Sequence, residues 1–567
     1  MIREERYKIT SNDYADIIIQ YNGSEAVLQR YQTETIQIID VRYAVVYYPA
    51  SQITIQGINQ LGYASIPTCL GLENKRSLEV SGINRIRETP AFGLRGQGVL
   101  VGIADTGIDY TNPVFLHKDG TSKIVSIWDQ TIDSEDRYPD YTFYGTVYDA
   151  EQINLALANE DPYSVVPSRD ENGHGTILAG IAAGSEDEAN NFSGVVPDSD
   201  LVIVKLKEAK PVLKTLHALP QDIPCYQEND MIWGVKYLVD TANRLGRPLA
   251  ICIGMGTSQG SHDGVGILSA ILSIIGEFPG VAVVISAGNE GSSKRHYFNT
   301  ISPTVAFTTV ELNIGENEND FAMEIRGEAP NSYSIDITSP GGEFVPRIAE
   351  SLRSDKEIAF LFENTHITVN YMLVEPLTGE PLIMLRFRNP APGIWRFRVY
   401  SRGDLPGSFH IWLPMGRFIT LGTYFIQPNP YTTVTAPSNS FVPIAVTAYN
   451  QANNSLLQSS SKGFTKSNIV KPELAAPGVN ILSPTLDHGY AESSGTGAAA
   501  AHMTGIAAMM MEWGIVRGNY PGMASKEVKK FLIRGAKRSA NILYPNRDWG
   551  YGIVDIYNAF AFIRGAI

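Results

Sequence analysis

Four short glycine-rich segments, widely separated along the chain, constrain its fold more than any other feature. They carry Asp105 in Ala-Asp-Thr-Gly-Ile-Asp, His174 in Asn-Gly-His-Gly-Thr, Asn289 in Ser-Ala-Gly-Asn-Glu-Gly and Gly497 in Ser-Gly-Thr-Gly-Ala-Ala. Asp105 and Asn289 each follow an apolar run. Functional residues of open α/β sheets lie beyond the carboxyl ends of the strands. We therefore expect Asp105 and Asn289 to lie at one edge of such a sheet.

The region from residue 79 to about 300 alternates between strand and helix patterns. The continuous apolar run at residues 99–104 is typical of a strand that is buried on both faces. Repeated β-α units predict a parallel sheet with helices on both faces, so the predicted fold class is α/β. The other predicted strands are residues 201–206, 249–253 and 281–286, and the predicted helices are residues 175–184, 231–244 and 267–277.

Residues 1–78 form a separate pattern that predicts a small α+β domain. The order is β-α-β-β-α, as in a split β-α-β arrangement. Residues 66–71 then lead away in extended form, and residues 71–76 are interpreted as a linker. The predicted elements are a strand at 16–21, a helix at 24–31, two strands within 36–48 and a helix at 52–62.

Residues 301–440 change character and predict an inserted β-sandwich, or jelly roll. Short alternating segments are separated by Pro-Gly, Gly-Gly and Asn-Pro turns, which is the pattern of antiparallel sheets. Since both flanks belong to the α/β core, the two ends of the insert should lie close together. The predicted strands are residues 305–312, 321–325, 332–337, 367–374, 382–388, 394–400 and 409–414.

The α/β core resumes at residue 441 and continues to residue 567. A strand is predicted at 441–447 and a final amphipathic helix at 525–538. Between them, a helix at 497–513 is rich in alanine and glycine, so it can lie close to its neighbours. We expect Thr496 to cap this helix.

Length and composition limit the possible functions. The chain has 567 residues, which is too many for one ordinary core and predicts two or three domains. Its net charge of −14 argues against nucleic acid or an anionic membrane as a partner. Three cysteines fit no disulfide framework, and we expect Cys252 to lie in the core. No metal-ligand spacing or cofactor motif is present, so neither a metal nor a cofactor is expected.

The N-terminal sequence predicts where the protein is made. No apolar segment follows the first charged residues, so we expect synthesis in the cytosol without a signal peptide. No apolar run reaches the ~20 residues that a membrane-spanning helix needs.

The four segments, in the order Asp, His, Asn and then the Gly-Thr-Gly segment, resemble those of the subtilisin-like (S8) serine peptidases. This resemblance implies that Asp105 orients the imidazole of His174, which would be the general base and acid. It also implies that Asn289 donates to a developing oxyanion. Residues 254–256 would line the substrate cleft. The position of Gly497 is that of the nucleophilic serine, and in this chain the hydroxyl is missing.

The missing serine leaves two functional hypotheses. Without a nucleophile no acyl-enzyme forms, and Ser493 and Ser494 are three or four residues from the required position. The leading hypothesis is an inactive regulator that binds protein partners, with His174 inherited without use. The alternative is an active serine endopeptidase that processes a protein precursor, either through an unrecognised nucleophile or because Gly497 replaces a serine of the parent protein. A third hypothesis is a small-molecule sensor that uses the old cleft.

The domain combination resembles a particular branch of this family, the Csp germination proteases and pseudoproteases of clostridial spores. That resemblance implies a role in a proteolytic cascade of spore germination, a location in spores, and a related active protease or a hydrolase precursor as partner. It also implies that residues 1–78 are a propeptide. Since release of a propeptide needs the nucleophile, we expect residues 1 to about 75 to stay attached. We further expect the segment near residues 66–70 to lie in the cleft.

Overall fold

The computed structural model describes residues 3–31, 35–54, 62–72, 81–89 and 92–563. Most of the helix predicted at residues 52–62, and the part of the linker after residue 72, lie outside these residues. The described helices are Arg3–Thr10, Glu25–Leu28, Ile83–Glu88, Ala150–Leu157, His174–Ala183, Pro211–Leu216, Glu228–Leu245, Ile267–Ile275, Thr496–Met511, Ser525–Gly535 and Ile556–Ile563.

A nine-stranded central sheet forms the core and confirms the predicted parallel sheet. Its seven inner strands are parallel, and Thr146–Asp149 and Ser455–Leu456 pair antiparallel at the two ends of the strand order. The strand order is Ser455–Leu456, Ile444–Asn450, Val281–Ser286, Leu249–Ile253, Leu100–Asp105, Asp200–Lys205, Ile124–Asp129 and Thr146–Asp149, and Leu474–Pro477 also pairs with Ile444–Asn450.

Helices cover both faces of this sheet, as the continuous apolar runs predict. In the strand Leu100–Asp105, Val101 and Ile103 face one hydrophobic cluster, whereas Leu100 and Ala104 face the other. This alternation follows from the two-residue period of a strand. The first cluster contains the helices His174–Ala183 and Thr496–Met511, and the second contains Glu228–Leu245 and Ile267–Ile275. Cys252 is buried in the first cluster, as expected.

Small residues allow the helix Thr496–Met511 to lie buried along its whole length. At Gly505, a Cβ atom would lie 2.3 Å from the Cβ of Val195, so no larger residue fits without a shift. The prediction that the helix near residue 525 is the last one is wrong. Ile556–Ile563 follows it and packs through Ala559 against Gly535, where a Cβ would meet the Ala559 backbone nitrogen at 2.3 Å.

The strands between His296 and Phe425 form two antiparallel sheets with a shared apolar core. The strand His296–Ile301 belongs to the first sheet, so this sheet begins before the expected boundary at residue 301. The edge strands Phe344–Ile348 and Arg353–Ala359 were not predicted, because most of their residues are exposed and the second is largely charged. One sheet has the order His296–Ile301, Gly407–Trp412, Phe321–Gly327, Leu382–Arg388, His366–Met372 and Arg353–Ala359; the other has Phe344–Ile348, Ser332–Thr338, Gly393–Arg402, Thr308–Ile314 and Tyr424–Phe425.

The N-terminal region contains a three-stranded antiparallel sheet in the order Tyr14–Gln20, Tyr43–Pro49 and Thr35–Ile38. The helix expected at residues 24–31 is shorter and consists of Glu25–Leu28 followed by the 3-10 turn Gln29–Tyr31. One apolar cluster joins this sheet to residues 209–225 of the core and to the sandwich. Its members include Ile17, Val46, Leu213, Met372 and Met384.

Candidate functional site

The structure brings Asp105 and His174 together in a buried pair. Asp105 is the last residue of the strand Leu100–Asp105, and His174 is the first residue of the helix His174–Ala183. The distance from His174 Nδ1 to Asp105 Oδ1 is 2.7 Å, and the two residues are only 4% and 1% exposed. The Thr106 N–H donates to the same Asp105 oxygen at 2.8 Å. This geometry holds the imidazole with Nδ1 on the aspartate, as a general base requires.

Asp170 holds the turn that presents His174, and sequence reasoning missed it. One oxygen of this buried carboxylate accepts from the N–H groups of Asn172, at 3.0 Å, and Gly173, at 2.8 Å. The other accepts from the Thr176 N–H at 3.0 Å and from its hydroxyl at 2.7 Å. An aspartate shortly before a helix start is a recognisable capping signal, and it could have identified this residue.

Two glycines allow the close approach that the pair requires. A Cβ atom on Gly175 would lie 2.1 Å from the carbonyl oxygen of Gly107, in the loop after Asp105. A Cβ atom on Gly254 would lie 3.1 Å from Cε1 of His174 and 2.5 Å from Cδ1 of Leu178. Gly254 therefore forms the wall beside the imidazole.

Asn289 lies beside the start of the helix that carries position 497. Its Oδ1 accepts from the Thr496 N–H at 3.2 Å and is 3.3 Å from the Thr496 hydroxyl. With the amide oxygen engaged there, the Nδ2 donors lie on the opposite side of the amide group. Thr496 is not the N-cap that we expected. The N-cap is Gly495, and the Thr496 hydroxyl instead lies 3.2 Å from the Gly288 nitrogen.

Gly497 lies in the first turn of the helix Thr496–Met511 and is buried. Its backbone conformation is helical, which a serine adopts without strain. The nearby Ser494 is exposed, and its hydroxyl accepts from the Asn480 N–H at 2.8 Å and donates to Asn480 Oδ1 at 3.3 Å. Ser493 is the last residue of the strand Tyr490–Ser493.

An extended segment of the chain itself lies beside this pair. The strand Cys69–Leu72 is the middle strand of a three-stranded sheet between Tyr226–Gln227 and Met255–Gly256. Leu72 pairs with Met255 and Gly71 with Gly256, both antiparallel. Because Met255 follows Gly254 directly, Leu72 lies one residue from the wall that faces His174. We call Cys69–Leu72 the cleft strand.

Buried titratable groups surround the cleft strand. Burial raises the pKa of the Tyr226 hydroxyl, and the negative charges of Asp105 and Glu208 raise it further. Burial likewise raises the pKa of Glu228, although hydrogen bonds from the N–H groups of Leu268 and Thr68 oppose this shift. Burial thus favours the protonated form of the Tyr226 hydroxyl beside the cleft strand.

Two features are not found among the residues that the structure describes. No group of three or more His, Cys, Asp or Glu side chains is arranged to hold a metal ion in the described part of the chain. None of the described helices combines the length and apolar character that a bilayer span requires.

Comparison with known proteins identifies the relatives of this chain. A model of the subtilase family matches residues 96–311 and 423–552, which together make up more than half of the chain. The solved structure of the Clostridium perfringens CspB protease is 32% identical, with a TM-score of 0.76, and the match covers 86% of this chain and 97% of that chain.

Curated relatives match over smaller shares of their length. The subtilisin-like protease SBT3.1 of Arabidopsis thaliana is 24% identical over 489 residues, which is 78% of this chain and 56% of that protein. The C5a peptidase of Streptococcus pyogenes is 31% identical over 144 residues, which is 24% of this chain and 12% of that protein. The chain thus spans little more than half the length of the first of these relatives.

Proposed function

Because this chain belongs to the subtilase family but has glycine at position 497, we propose that it is a non-catalytic member that regulates a proteolytic cascade by binding protein segments. The observation that carries this proposal is Gly497 at the start of the helix Thr496–Met511, in a site that otherwise keeps Asp105, His174 and Asn289. Those three residues would be the orienting acid, the base and the oxyanion donor of an active relative.

Loss of the nucleophilic hydroxyl costs more catalytic rate than the remaining site residues can supply. In subtilisin, removal of the nucleophilic serine lowers turnover by roughly 10⁶, and a rate of only ~10³–10⁴ over water remains from the oxyanion site and binding. The hydroxyl of Ser494 is engaged with Asn480 and lies before the helix. It is a poor substitute, because a nucleophile must lie within hydrogen-bond distance of its base.

The proposal includes retention of the N-terminal region as a propeptide-like domain of about 78 residues. The cleft strand pairs with both walls of the cleft, as a bound peptide would by strand addition. Ser81 is held at the other end of the intervening residues, since its hydroxyl lies 2.7 Å from Nε2 of the buried His502. Without a nucleophile to cut between Leu72 and Ser81, the cleft strand stays covalently attached.

The ligand that fits this site is an extended protein segment. The strands Tyr226–Gln227 and Met255–Gly256 lie on either side of the cleft strand. Their backbone N–H and C=O groups can pair with the main chain of a bound peptide. The solved relative is named a CspB protease, so a related active protease or a protein precursor is the proposed partner. A role in clostridial spore germination, and the inserted jelly roll at residues 301–440 as a binding or bracing domain, belong to the same proposal.

The test is the intact mass of the purified protein beside that of Gly497→Ser. We expect the parent to remain full-length and the serine variant to lose a fragment that ends between Leu72 and Ser81. Gly497→Ala is the matched control, because it adds the Cβ without the hydroxyl and should remain uncut. His174→Ala in the serine background should also remain uncut.

Other outcomes have clear meanings. A parent that cuts itself between Leu72 and Ser81 with no other protease present would show that a nucleophile works, and the enzyme hypothesis would replace ours. A serine variant that folds and remains uncut would show that loss of the hydroxyl is not the only defect. The proposal that Asp105, His174 and Asn289 are still arranged for catalysis would then fail.

A further inference from the structure

Three consecutive residues at the start of the helix Glu228–Leu245 contact both the cleft strand and the N-terminal sheet. We call residues 227–229 the junction turn. Gln227, Glu228 and Asn229 are all buried, at 0%, 6% and 0% exposure. Polar groups buried this deeply need hydrogen-bond partners within the protein. The loss of one partner of this turn is therefore expected to be costly.

One side of the junction turn holds the cleft segment. The Glu228 N–H donates to the Thr68 carbonyl at 3.0 Å, and the Glu228 carboxylate accepts from the Thr68 N–H at 3.1 Å. The second carboxylate oxygen accepts from the Leu268 N–H at 2.9 Å. Gln227 pairs with Cys69 in the strand ladder, and Nε2 of His217 lies 3.0 Å from the carbonyl oxygen of Pro67. By binding both backbone groups of Thr68, Glu228 thus fixes the register in which the following strand pairs.

The other side of the junction turn holds the N-terminal sheet through Asp16. The Gln227 and Asn229 side-chain amides donate to one Asp16 oxygen at 2.8 and 2.7 Å. The other oxygen forms an ion pair with the side chain of the buried Lys210. The backbone N–H of Lys210 donates to Gln227 Oε1 at 3.0 Å. Asp16 lies on the strand Tyr14–Gln20 and is 4% exposed.

From this arrangement we propose that Glu228 is a positioning residue for extended chains in the cleft, and that the junction turn couples cleft occupancy to docking of the N-terminal sheet. Gln227 and Asn229, whose amides hold Asp16, flank Glu228 in the chain, so one backbone conformation of the turn sets both groups of contacts. Buried polar networks act as units, because loss of one partner leaves the others unsatisfied in a low dielectric.

The coupling has a functional consequence that rests on the proposed function. A protein segment that displaces the cleft strand removes the partner of Glu228 and weakens the hold on Asp16. By linkage, a partner that pulls the N-terminal sheet away weakens binding of the cleft strand by the same free energy. The N-terminal unit would then report occupancy of the cleft to other proteins.

Hydrogen–deuterium exchange on the full-length chain tests this coupling. Asp16→Asn leaves Lys210 without its buried anion, and we expect amide exchange to rise about tenfold or more in residues 62–72 as well as in Tyr14–Gln20. Glu228→Gln replaces one acceptor oxygen by a donor that faces an N–H group. It should raise exchange in the same two regions. Exchange in the central strand Leu249–Ile253 should not change in either variant.

Matched controls separate coupling from general destabilisation. Asp13→Asn alters an exposed carboxylate of the same unit, which accepts from the hydroxyls of Tyr7 and Ser11. Glu527→Gln alters the first-turn glutamate of a different helix, which accepts from the Ala524 N–H. Neither should change exchange in residues 62–72. If Asp16→Asn does not fold, Asn229→Ser removes one donor to Asp16 and gives the same comparison.

The results separate this inference from the proposed function. If Asp16→Asn accelerates exchange only in Tyr14–Gln20, and Glu228→Gln only in residues 62–72, the proposed coupling is wrong. The proposal that the protein is non-catalytic would be unaffected. If residues 62–72 of the parent exchange as fast as a free peptide, the retained cleft strand of the proposed function is wrong. Turnover by the parent would overturn the non-catalytic reading and would leave the exchange comparison intact.

Discussion

Acidification should destabilise this protein through His502, a histidine buried in the helix that carries position 497. The residue is fully buried, its Nε2 lies 2.7 Å from the Ser81 hydroxyl, and its Nδ1 has no hydrogen-bond partner in the described structure. Burial, together with a smaller effect of the positive charge of Arg87, lowers the pKa of His502 from 6.5 to about 3. A proton on Nδ1 would be desolvated without compensation.

The sign and size of the effect follow from linkage. The folded-state pKa is depressed, so the unfolded chain takes up a proton near pH 6.5 and the folded protein does not. Stability contributed by the neutral imidazole is therefore complete above pH 6.5 and is lost as the pH falls toward 3. Each pH unit within this window corresponds to about 1.4 kcal/mol, so about 2.7 kcal/mol of the free energy of unfolding is lost between pH 8 and 4.5.

The assay compares the parent with His502→Gln, which can still bond to Ser81 but does not titrate. Urea unfolding followed by tryptophan fluorescence gives the free-energy difference between the two proteins at each pH. Other buried histidines contribute equally to both proteins and cancel. We expect the parent to lose about 2.7 kcal/mol relative to the variant between pH 8 and 4.5.

His366→Gln is the matched control, since it makes the same replacement at an exposed histidine. A difference between the parent and His502→Gln that changes by less than about 0.5 kcal/mol would refute the reasoning. It would mean that the folded protein admits a proton at His502 by local rearrangement.

Two further predictions concern the loops around His174. In the Gly497→Ser background, Asp170→Asn should slow self-cleavage by about 10–100-fold, because it removes the charge that accepts four hydrogen bonds from residues on both sides of His174. A time course of intact mass measures this, and an unchanged rate would contradict the role of Asp170. Gly175→Ala should destabilise the core by about 3 kcal/mol or more, since its Cβ would lie 2.1 Å from the Gly107 oxygen. Thermal unfolding measures this change, and a melting temperature within a degree or two of that of the parent would show that the loop moves at little cost.

The sequence predicts the central sheet and the order of the site segments because both depend on local pattern. A short apolar run such as residues 99–104, within repeated β-α units, is typical of a strand that is buried on both faces. The polar residue that ends it, Asp105, is then expected at the edge of the sheet where the parallel strands end. The same pattern correctly predicted Leu249–Ile253 and Val281–Ser286 to the residue.

Features that depend on distant parts of the chain could not be predicted in this way. The rings of His262, His296 and His410 gather around Trp412, and the first stacks on it at 4.1 Å between centroids. None of these histidines belongs to a local motif. The junction turn is similar, since its partner Asp16 looks like any polar residue of a short strand until the fold places it beside Lys210.

Elements without an apolar face were missed for a different reason. The edge strand Arg353–Ala359 reads Arg-Ser-Asp-Lys-Glu-Ile-Ala, and only Ile358 is buried. Its extended form comes from backbone pairing with His366–Met372 and not from the preferences of its side chains. The residue type of Thr496 predicts a helix cap, but its hydroxyl instead contacts the Gly288 N–H and the Asn289 side-chain oxygen.

If the N-terminal region is retained as we propose, covalent attachment makes the cleft strand a competitor at high local concentration. A peptide segment on a short tether acts on its site as if present at millimolar concentration, whatever the amount of protein in solution. An incoming segment that binds with micromolar affinity through the cleft alone would therefore occupy only a small fraction of the molecules. If the function is as we propose, a partner must add contacts outside the cleft, or first detach the N-terminal sheet, and the tether sets an affinity threshold that excludes weak and accidental ligands.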